Sequence, residues 1–416
     1  MQEIASKFLR HLRGLVERQF NNPEIGVDAV LTYPPAFPEE YKKCLYRACH
    51  EAGIQICSLI TEAVAAALPY GFQKNPLLRQ EKVVMIYDLG AGTCNVSLVS
   101  MEDGIIEVNA VATADNVGGL YFDDRLYNYF IQELKKTHNQ DLSLDLRALN
   151  RLRLACERVK RTLSIQKTAV LELEISGIEF RYKIDREWFC ALCKDLFAST
   201  VEVIDRVFRD SRMEKSNVTD LVLVGGSTRI PHVQTTVSSY FQGKDLCKAI
   251  NPDEAVAYGA ALKATYYTEN GLLHRYDFLL LDALPRTIGL EVVGGYMYAL
   301  IKRQTTVPTK KSHYFTTCLD GQERALIRVF AGEKYWCEYN TLLCELWLTG
   351  IPSSPTGNVQ ICVTIDVDGN FMVHVEAEER RTGKSFSRRF GPATACLPLS
   401  TRPSSTDIKE WVSLRA

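Results

Sequence analysis

The stretch LVLVGGSTRIPHVQ, residues 221–234, joins an apolar run to two glycines and then to the start of a helical pattern. An apolar run that ends in Gly225 and Gly226 is typical of a buried strand followed by a tight turn. Because glycine has no Cβ, a planar group can rest on this backbone while the Arg229 guanidinium stacks over it. The stretch therefore predicts a site for a planar base. A close helix–strand contact without a ligand is the alternative.

The segments around this stretch alternate between strand-like and helix-like patterns. AVLTYPP at 29–35 and VVMIYDLG at 83–90 are apolar runs that end in Pro or Gly, and helical patterns cover about 118–138, 144–165 and 185–210. After residue 284 the helical period disappears, and short alternating runs such as DGNFMVHVEAE continue to about residue 390. The sequence predicts an α/β domain followed by a separate all-β domain.

The change from helical to alternating patterns divides the chain into four predicted segments. We expect an α/β domain over 1–276, a linker over 277–283, an all-β domain over 284–390 and an unstructured tail over 391–416. The linker segment DFLLLDA is too apolar to be a bare spacer, so it is predicted to dock on another element. The tail is rich in Pro, Ser and Thr, a composition that indicates little regular structure.

Composition excludes several classes of protein. The net charge of −1 gives no general attraction to nucleic acid or to acidic membranes, and no run of about eighteen apolar residues exists for a membrane span. The thirteen cysteines are scattered, which is typical of a reducing compartment. Cys190 and Cys193 are read as two small core residues in preference to a metal or redox pair. The N-terminus has no signal-peptide core, and Glu3 and Glu17 argue against a mitochondrial presequence. The expected compartment is the cytoplasm, with the nucleus left open.

Two glycine-containing turns are candidates for binding phosphate. In YDLGAGTCNVS, residues 87–97, Gly90 and Gly92 allow backbone N–H groups to form an anion-binding nest, and Asp88 is placed to hold a metal-bound water. In DNVGGLYFDDRL, Gly118 and Gly119 precede a helix whose first N–H groups attract anions. A tight hairpin with a solvated aspartate and an ordinary turn are the respective alternatives.

A third candidate is a row of polar residues on one helix. In ACERVKRTLS, four polar residues at spacings of three and four share one helical face. They are Glu157, Lys160, Arg161 and Ser164. One acid, two bases and a hydroxyl in a row can hold the ribose hydroxyls and the edge of a purine. A solvated face with a Glu–Lys pair is the alternative.

The order of these motifs resembles one protein family. ITEAVAAALPYG, YDLGAGTCNVSLV, VGGLYFDDRL, RLRLACERVKRTLS, LVLVGGSTRIP and INPDEAVAYGAALKA occur in the order found in the seventy-kilodalton heat-shock chaperones of the DnaK type. The similarity continues through FLLLDALPRTIGLEVVGGYMYALIKRQTTVPTKKSHYFTT to about residue 390. It implies an actin-like (ribonuclease H-like) ATPase domain, here incomplete at its N-terminus, and an all-β peptide-binding sandwich.

The resemblance also implies roles for individual residues. It places Glu62 on the metal side of ATP/ADP with Mg²⁺, Asp88 near the attacking water and Thr93 on the phosphate side. The residues implied to hold the nucleotide are Gly90, Gly92, Gly118, Gly119, Glu157, Lys160, Arg161, Ser164, Gly225, Gly226, Ser227, Arg229 and Asp253. The implied nucleotide-state switch involves Pro34 and Lys42, and Asp282 is the linker acid.

The all-β part is implied to bind an extended apolar segment of an unfolded polypeptide. Val293 and Cys318 would arch over the peptide backbone, and Phe315, Ala325 and Ile327 would form its pocket. Plain core packing is the alternative for all five. J-domain co-chaperones and nucleotide exchange factors are the further partners that the resemblance implies.

The chain departs from the family pattern at several positions. Asn95 replaces a metal-site aspartate, Ala91 replaces a phosphate-loop glycine, and TEAVAAA stands for NEPTAAA. The family's first phosphate loop, its catalytic lysine and its helical lid have no counterpart in the sequence. Since losing one preorganised charge stabiliser commonly costs about a hundredfold or more in rate, we expect very weak or no ATP turnover.

Three functions are therefore carried forward. The first is an ATP-dependent chaperone with impaired hydrolysis, and the second is a non-hydrolysing module that binds peptide or partner proteins. The third is a small-molecule kinase of the actin and sugar-kinase superfamily, which the all-β region after the linker makes the weakest of the three.

Overall fold

The structure is a computed structural model, and it describes residues 2–22, 26–34, 39–74, 81–138, 145–175, 178–247, 249–267, 279–369, 371–390 and 414–415. The helices are α1 (Gln2–Gln19), α2 (Glu39–Ala52), α3 (Glu62–Lys74), α4 (Gly119–His138), α5 (Leu146–Ile165), α6 (Arg186–Leu192), α7 (Lys194–Ser211), α8 (Pro231–Tyr240) and α9 (Ala255–Ala264).

The strands divide between the α/β part and the region that follows it. In the α/β part they are β1 (Val27–Tyr33), β2 (Ile54–Thr61), β3 (Lys82–Leu89), β4 (Thr93–Glu102), β5 (Ile105–Asp115), β6 (Thr168–Ile175), β7 (Ile178–Asp185), β8 (Val218–Val224) and β9 (Leu246–Cys247). After them come β10 (Leu279–Ala283), β11 (Ile288–Val292), β12 (Tyr296–Ile301), β13 (Thr306–Val307), β14 (Thr309–Thr317), β15 (Arg324–Ala331), β16 (Thr341–Thr349), β17 (Ile361–Val367), β18 (Val373–Glu379), β19 (Lys384–Phe390) and β20 (Leu414–Arg415).

The predicted mixture of helices and strands is confirmed at this level. The helical patterns expected near 118–138 and 144–165 correspond to α4 and α5, and the pattern near 185–210 is divided at Cys193 into α6 and α7. Asp145 starts α5 by accepting hydrogen bonds from the N–H groups of Arg147 and Ala148, which is the chemistry of an N-cap. No helix in the described ranges is long and apolar enough to cross a membrane.

The chain forms two compact units. The first comprises Met1–Ala65, Ile105–Asn109 and Ala260–Ala416, and the second comprises Ala66–Gly104 and Ala110–Gly259. Within the segment expected to be a linker, Leu279–Ala283 form strand β10. The predicted boundaries of the four segments stay predictions.

The second unit carries a sheet with strand order β5-β4-β3-β8-β9. Strand β3 runs antiparallel to β4 and parallel to β8, so the carboxyl ends of β3 and β8 lie at the same edge. A continuous apolar core packs against it, with Tyr87, Phe122, Phe130 and Leu152 among its fully buried members. Strand β3 is followed by the turn that contains Gly90 and Gly92, and β8 is followed by Gly225 and Gly226.

The first unit contains the parallel β1–β2 pair and the strands that follow residue 278, whereas the β6–β7 hairpin belongs to the second unit. Strand β10 runs parallel to the Ile105–Glu107 end of β5 and antiparallel to β13, so the predicted docking of this segment is seen here as sheet pairing. A larger sheet has the order β16-β15-β11-β20-β14-β17-β18-β19, with β12 paired to β11. Residues 391–413, most of the tail expected to be unstructured, lie outside the described residues. Leu414–Arg415 differ from that expectation because they form β20.

Candidate functional site

Position 225 requires a glycine because the backbone there lies very close to the end of strand β3. The φ of Gly225 is +84°, and a Cβ added there would lie 2.4 Å from the Leu89 carbonyl oxygen and 2.7 Å from Asp88 Oδ1. At Gly226 an added Cβ would lie 2.9 Å from Asp253 Oδ1. Gly225 thus lies closest to the end of β3, and Gly226 lies closest to the Asp253 carboxylate. The alternative of a close packing contact accounts for Gly225, and stacking of a base stays a prediction.

The two predicted phosphate turns pack directly on each other. The N–H of Gly119 donates to the Gly90 carbonyl at 3.0 Å, and the N–H of Leu120 donates to the Ala91 carbonyl at 2.8 Å. An added Cβ at Gly118 would lie 2.7 Å from both of these carbonyl oxygens. The first N–H groups of α4 are therefore already used in holding the 90–93 turn. Gly92 takes part as well, because its carbonyl accepts from the N–H of Val117 at 3.3 Å.

Lys160 and Ser227 converge on the same two turns. Lys160 Nζ donates to the Gly119 carbonyl at 2.8 Å, and Ser227 Oγ donates to the Gly90 carbonyl at 2.8 Å. A Cβ at Gly119 would meet Ser227 Oγ at 2.8 Å and Lys160 Nζ at 3.2 Å. Four segments that are far apart in sequence therefore meet at one corner of the second unit.

The Lys160 ammonium is held by a buried carboxylate. Its Nζ lies 2.7 Å from Asp123 Oδ2, and the two side chains are only 13% and 8% exposed. Burial raises the pKa of Asp123, and the hydrogen bond and charge of Lys160 oppose that rise. Asp123 Oδ1 is buried without a hydrogen-bond partner among the described residues. The Lys160 charge is thus largely neutralised inside the protein.

Arg229 is held by the edge of its guanidinium. Its Nε and one Nη donate to Asp253 Oδ2 at 3.0 and 2.7 Å, and the same Nη donates to Asn251 Oδ1 at 2.7 Å. Hydrogen bonds of a guanidinium lie in its plane, so contacts of this kind leave the faces to stacking partners. Arg229 and Asp253 are about half exposed, which makes the pair reachable from solvent.

The remaining members of the predicted helical row are more loosely held. Arg161 lies 3.5 Å from Glu157, and its side chain is 76% exposed. Ser164 Oγ donates to the Lys160 carbonyl at 3.1 Å, one turn back along α5. These contacts fit a solvated helix face as well as a ligand-binding one, so the predicted roles of these three residues stay predictions.

Asp88 is a partly buried carboxylate at the end of β3. Burial raises the pKa of Asp88 to about 6, and in the β3–β4 ladder Asp88 is paired with Asn95. Asn95 is buried, and its Oδ1 accepts a hydrogen bond from Thr113 Oγ1 at 2.9 Å. Thr93 begins β4, and its carbonyl accepts from the N–H of Gly90 at 3.1 Å.

A divalent cation would find few protein ligands near Asp88. In the part of the chain that the structure describes, no group of three or more His, Cys, Asp or Glu side chains is arranged to hold a metal ion. Mg²⁺ is usually bound by one or two carboxylates together with phosphate oxygens and water. A cation beside Asp88 would need further oxygen ligands from phosphate or water, and the metal role of Asp88 stays a prediction.

In the first unit, the predicted linker acid contacts the residue before Glu62. Thr61 Oγ1 donates to Asp282 Oδ2 at 2.6 Å, and Asp282 Oδ1 accepts from the N–H of Ala283 at 2.8 Å. Thr61 and Asp282 are both buried. Glu62 is the first residue of α3. Pro34 follows β1 and is partly buried; Lys42 falls in α2, and its side chain lies outside the described residues.

The predicted peptide-binding residues fall into two environments. Phe315, Ala325 and Ile327 are almost fully buried in the core of the all-β region, whereas Val293 is 43% exposed beside the Gly294–Gly295 turn. The N–H of Cys318 donates to the Oε1 of the buried Gln322 at 2.9 Å. Both core packing and a peptide pocket agree with this placement of the buried three.

Comparison with known proteins decides the family. The family model described as Hsp70 protein matches residues 1–395. The chain belongs to the Hsp70 family. The sequence resemblance to the seventy-kilodalton heat-shock proteins is thereby confirmed.

Several Hsp70 relatives are similar over most of the chain. The heat shock 70 kDa protein of Neurospora crassa is 44% identical over 387 residues, which is 92% of this chain and 59% of the relative. Heat shock 70 kDa protein 2 of Paracoccidioides lutzii is 45% identical with the same coverage, and the heat shock 70 kDa protein of Penicillium citrinum is 46% identical over 86% of this chain and 71% of the relative. The chain thus spans about 59% of the length of the first two Hsp70 relatives.

Sequence reasoning missed several residues that contact the predicted functional residues. Lys160 contacts Asp123, Arg229 contacts Asn251, and Asp282 contacts Thr61. The sequence motifs pointed to the first residue of each pair and not to its partner. One signal was available for Asp123: it follows Gly119 by four residues, and so shares its helical face. Thr61 and Asp282 are 221 residues apart, and nothing in either local sequence links them.

Proposed function

We propose that this Hsp70 chain binds ATP or ADP through its second unit and an extended apolar peptide through its all-β region, as a chaperone with impaired ATP hydrolysis. The observation that carries the proposal is the meeting of Gly90, Gly119, Lys160 and Ser227 at one corner. These residues come from the four motifs that each suggested a phosphate or a nucleotide. An actin-like ATPase fold for the α/β part and a sandwich for the all-β part belong to the same proposal.

The nucleotide is bound by its adenosine end. Arg229, fixed at its edge by Asp253 and Asn251, stacks on the base, while Glu157 and Arg161 on the exposed face of α5 contact the ribose. Lys160 positions the start of α4, because its ammonium is already bound to Asp123 and to the Gly119 carbonyl. The remaining residues of the site are Gly92, Gly118, Ser164, Gly225 and Gly226, and they shape the corner around the ligand.

Hydrolysis is slow because the charges around the phosphates are few. Mg²⁺ bound with the nucleotide would supply charge neutralisation at the phosphates, with Asp88 as its protein carboxylate. Asn95 is a neutral amide engaged with Thr113, so it supplies no second negative charge. Thr93 and Glu62 are the remaining polar groups proposed for the reaction. Loss of one such charge commonly costs about a hundredfold in rate.

The peptide site lies in the all-β region. Val293 and Cys318 flank the peptide backbone, and Phe315, Ala325 and Ile327 line the pocket for one apolar side chain. Main-chain pairing to a strand supplies most of the affinity in sites of this kind. Unfolded polypeptides are then the clients, with J-domain proteins and nucleotide exchange factors as partners and the cytoplasm as the compartment. Pro34, Lys42 and Asp282 connect the nucleotide state to the peptide site.

A second candidate is a binding module that does not hydrolyse ATP at all. The hydrogen bond from Thr113 to Asn95 favours this candidate, since the position offers no negative charge and its amide oxygen already accepts one hydrogen bond. Such a module would hold peptide with an affinity that does not depend on nucleotide.

Single-turnover ATP hydrolysis, measured beside binding of a labelled extended apolar peptide, tests the proposal. We expect peptide binding that weakens with ATP, together with turnover at least about a hundredfold below that of an Hsp70 with a complete charge set. Peptide binding that ignores ATP supports the second candidate. Turnover at the full family rate contradicts the impairment, and absence of both peptide binding and ATP hydrolysis in folded protein rejects the chaperone function.

A further inference from the structure

Strand β20 consists of two residues that are placed inside the large sheet of the first unit. Leu414 is paired with Val292 of β11 in parallel, and with Thr317 of β14 in antiparallel orientation. Arg415 is paired with Thr316 of β14. The order β11-β20-β14 means that this segment lies between two strands that are not neighbours in the sheet order.

The partners of β20 adjoin the residues proposed to arch over a bound peptide. Val292 directly precedes Val293, and Thr317 directly precedes Cys318. A segment paired with both strands therefore runs where an extended peptide would run. It also uses the same kind of contact, because main-chain pairing to exposed strand edges is how extended peptides are captured.

We propose that Leu414–Arg415 are an internal occupant of the peptide groove, and that an extended peptide binds to this chain by displacing β20. The inference rests on the proposed peptide-binding function and adds to it a competing segment of the chain itself. The groove is self-occupied when no client is present. A client binds the fraction of molecules in which β20 has left the groove, so β20 weakens the apparent affinity for the client.

The contacts of β20 suit an occupant that can leave. A two-residue strand offers few ladder hydrogen bonds, and the hydroxyl oxygens of Thr316 and Thr317 are buried without partners among the described residues. A longer peptide can make contacts beyond the two residues that β20 offers. The tether compensates for this weakness, because a linked segment acts at an effective concentration of about millimolar.

The size of the effect follows from the population of the occupied state. If β20 is seated in about nine of ten molecules, the apparent Kd of a client is about ten times its intrinsic Kd. Releasing β20 should therefore strengthen peptide binding. If β20 instead supported the binding site, its release would weaken peptide binding.

The Leu414→Pro variant tests this directly. Proline cannot donate to a strand ladder, so the substitution removes pairing at the residue that contacts both β11 and β14. Ser404→Pro is the matched control, since it places the same residue elsewhere in the same segment. We expect the Kd for a fluorescein-labelled extended apolar peptide to fall about three- to tenfold in Leu414→Pro and to be unchanged in Ser404→Pro. An unlabelled peptide of residues 408–416 should compete with the label.

A second measurement reports whether β20 is paired with β11 and β14. Amide hydrogen exchange over 288–297 and 311–320 should rise in Leu414→Pro and not in Ser404→Pro. Equal peptide affinity in all three proteins, with exchange unchanged, overturns the inference and leaves the peptide-binding function standing. No binding by any of the three folded proteins overturns that function, and the inference with it.

Discussion

The hydroxyl of Thr61 donates a hydrogen bond to the carboxylate of Asp282, with 2.6 Å between the two oxygen atoms. Both side chains are buried. The contact joins the start of α3, where Glu62 is the first residue, to strand β10. The acid predicted to lie in a linker is therefore anchored within the first unit.

Replacing Thr61 by valine keeps the shape of the side chain and removes the donor. Since the buried Asp282 carboxylate loses one partner, we expect Thr61→Val to lower the free energy of unfolding by about 1–3 kcal/mol. Chemical denaturation of Thr61→Val, Asp282→Asn and the double variant measures the coupling. The double variant should lose about 1 kcal/mol less than the sum of the single variants. Strictly additive losses would show that the two residues do not stabilise each other.

Gly225 and Gly243 provide a matched pair for the close approach at the glycine corner. Both have a φ of +84°, but an added Cβ meets the Leu89 carbonyl at 2.4 Å in Gly225 and nothing within 4 Å in Gly243. Gly243→Ala should cost about 1–2 kcal/mol from backbone strain alone. Gly225→Ala should cost at least about 2 kcal/mol more because it adds an overpacking term. Thermal or chemical unfolding compares them, and equal losses would contradict the close approach.

The Lys160–Asp123 ion pair predicts a large effect for a helix residue. Lys160→Met leaves the buried Asp123 carboxylate without its cation and should cost about 3–5 kcal/mol at neutral pH. Burial raises the pKa of Asp123, so this loss should shrink at low pH as the carboxyl becomes protonated. Arg161→Met, at the adjacent and 76% exposed position, should change stability by less than about 0.5 kcal/mol. Similar losses for the two variants would refute the buried pair.

Asp88 predicts a stability difference that depends on pH. Burial raises its pKa from the usual 3.8 to about 6, so the unfolded chain releases this proton at lower pH than the folded chain. Between about pH 4 and pH 6 the folded state therefore loses relative stability, and the loss is constant above that window. Asp88→Asn removes the charge and should stabilise the protein by at most about 3 kcal/mol at pH 8, with no gain near pH 3.5. Denaturation at the two pH values checks this, and an equal effect at both would contradict it.

The sequence predicts elements and motifs better than it predicts partners. Strand β3, helix α5 and the turn after β8 carry strong local patterns, because apolar periodicity and glycine placement are local properties. The partners of the polar residues are not local: Lys160 and Asp123 are 37 residues apart, and Ser227 and Gly90 are 137 apart. Only the fold brings them together.

Two further features show where pattern reasoning stops. The glycine at position 225 indicates that some group lies close to the backbone. The sequence does not reveal that this group is the Leu89 carbonyl. Strand β20 has only two residues within a Pro-, Ser- and Thr-rich context, so no periodic signal could identify it. Its structure comes from the strands that it pairs with.

Calorimetric titration of the chain with ADP and Mg²⁺ tests the central claim most directly. The account predicts one site per chain, with a Kd that rises about tenfold in Arg229→Ala through loss of about 1.4 kcal/mol of stacking and is unchanged in Arg209→Ala, an exposed arginine of α7. Absence of ADP binding by the folded protein, or identical affinity in all three proteins, would contradict a nucleotide site at the Gly225–Arg229 corner.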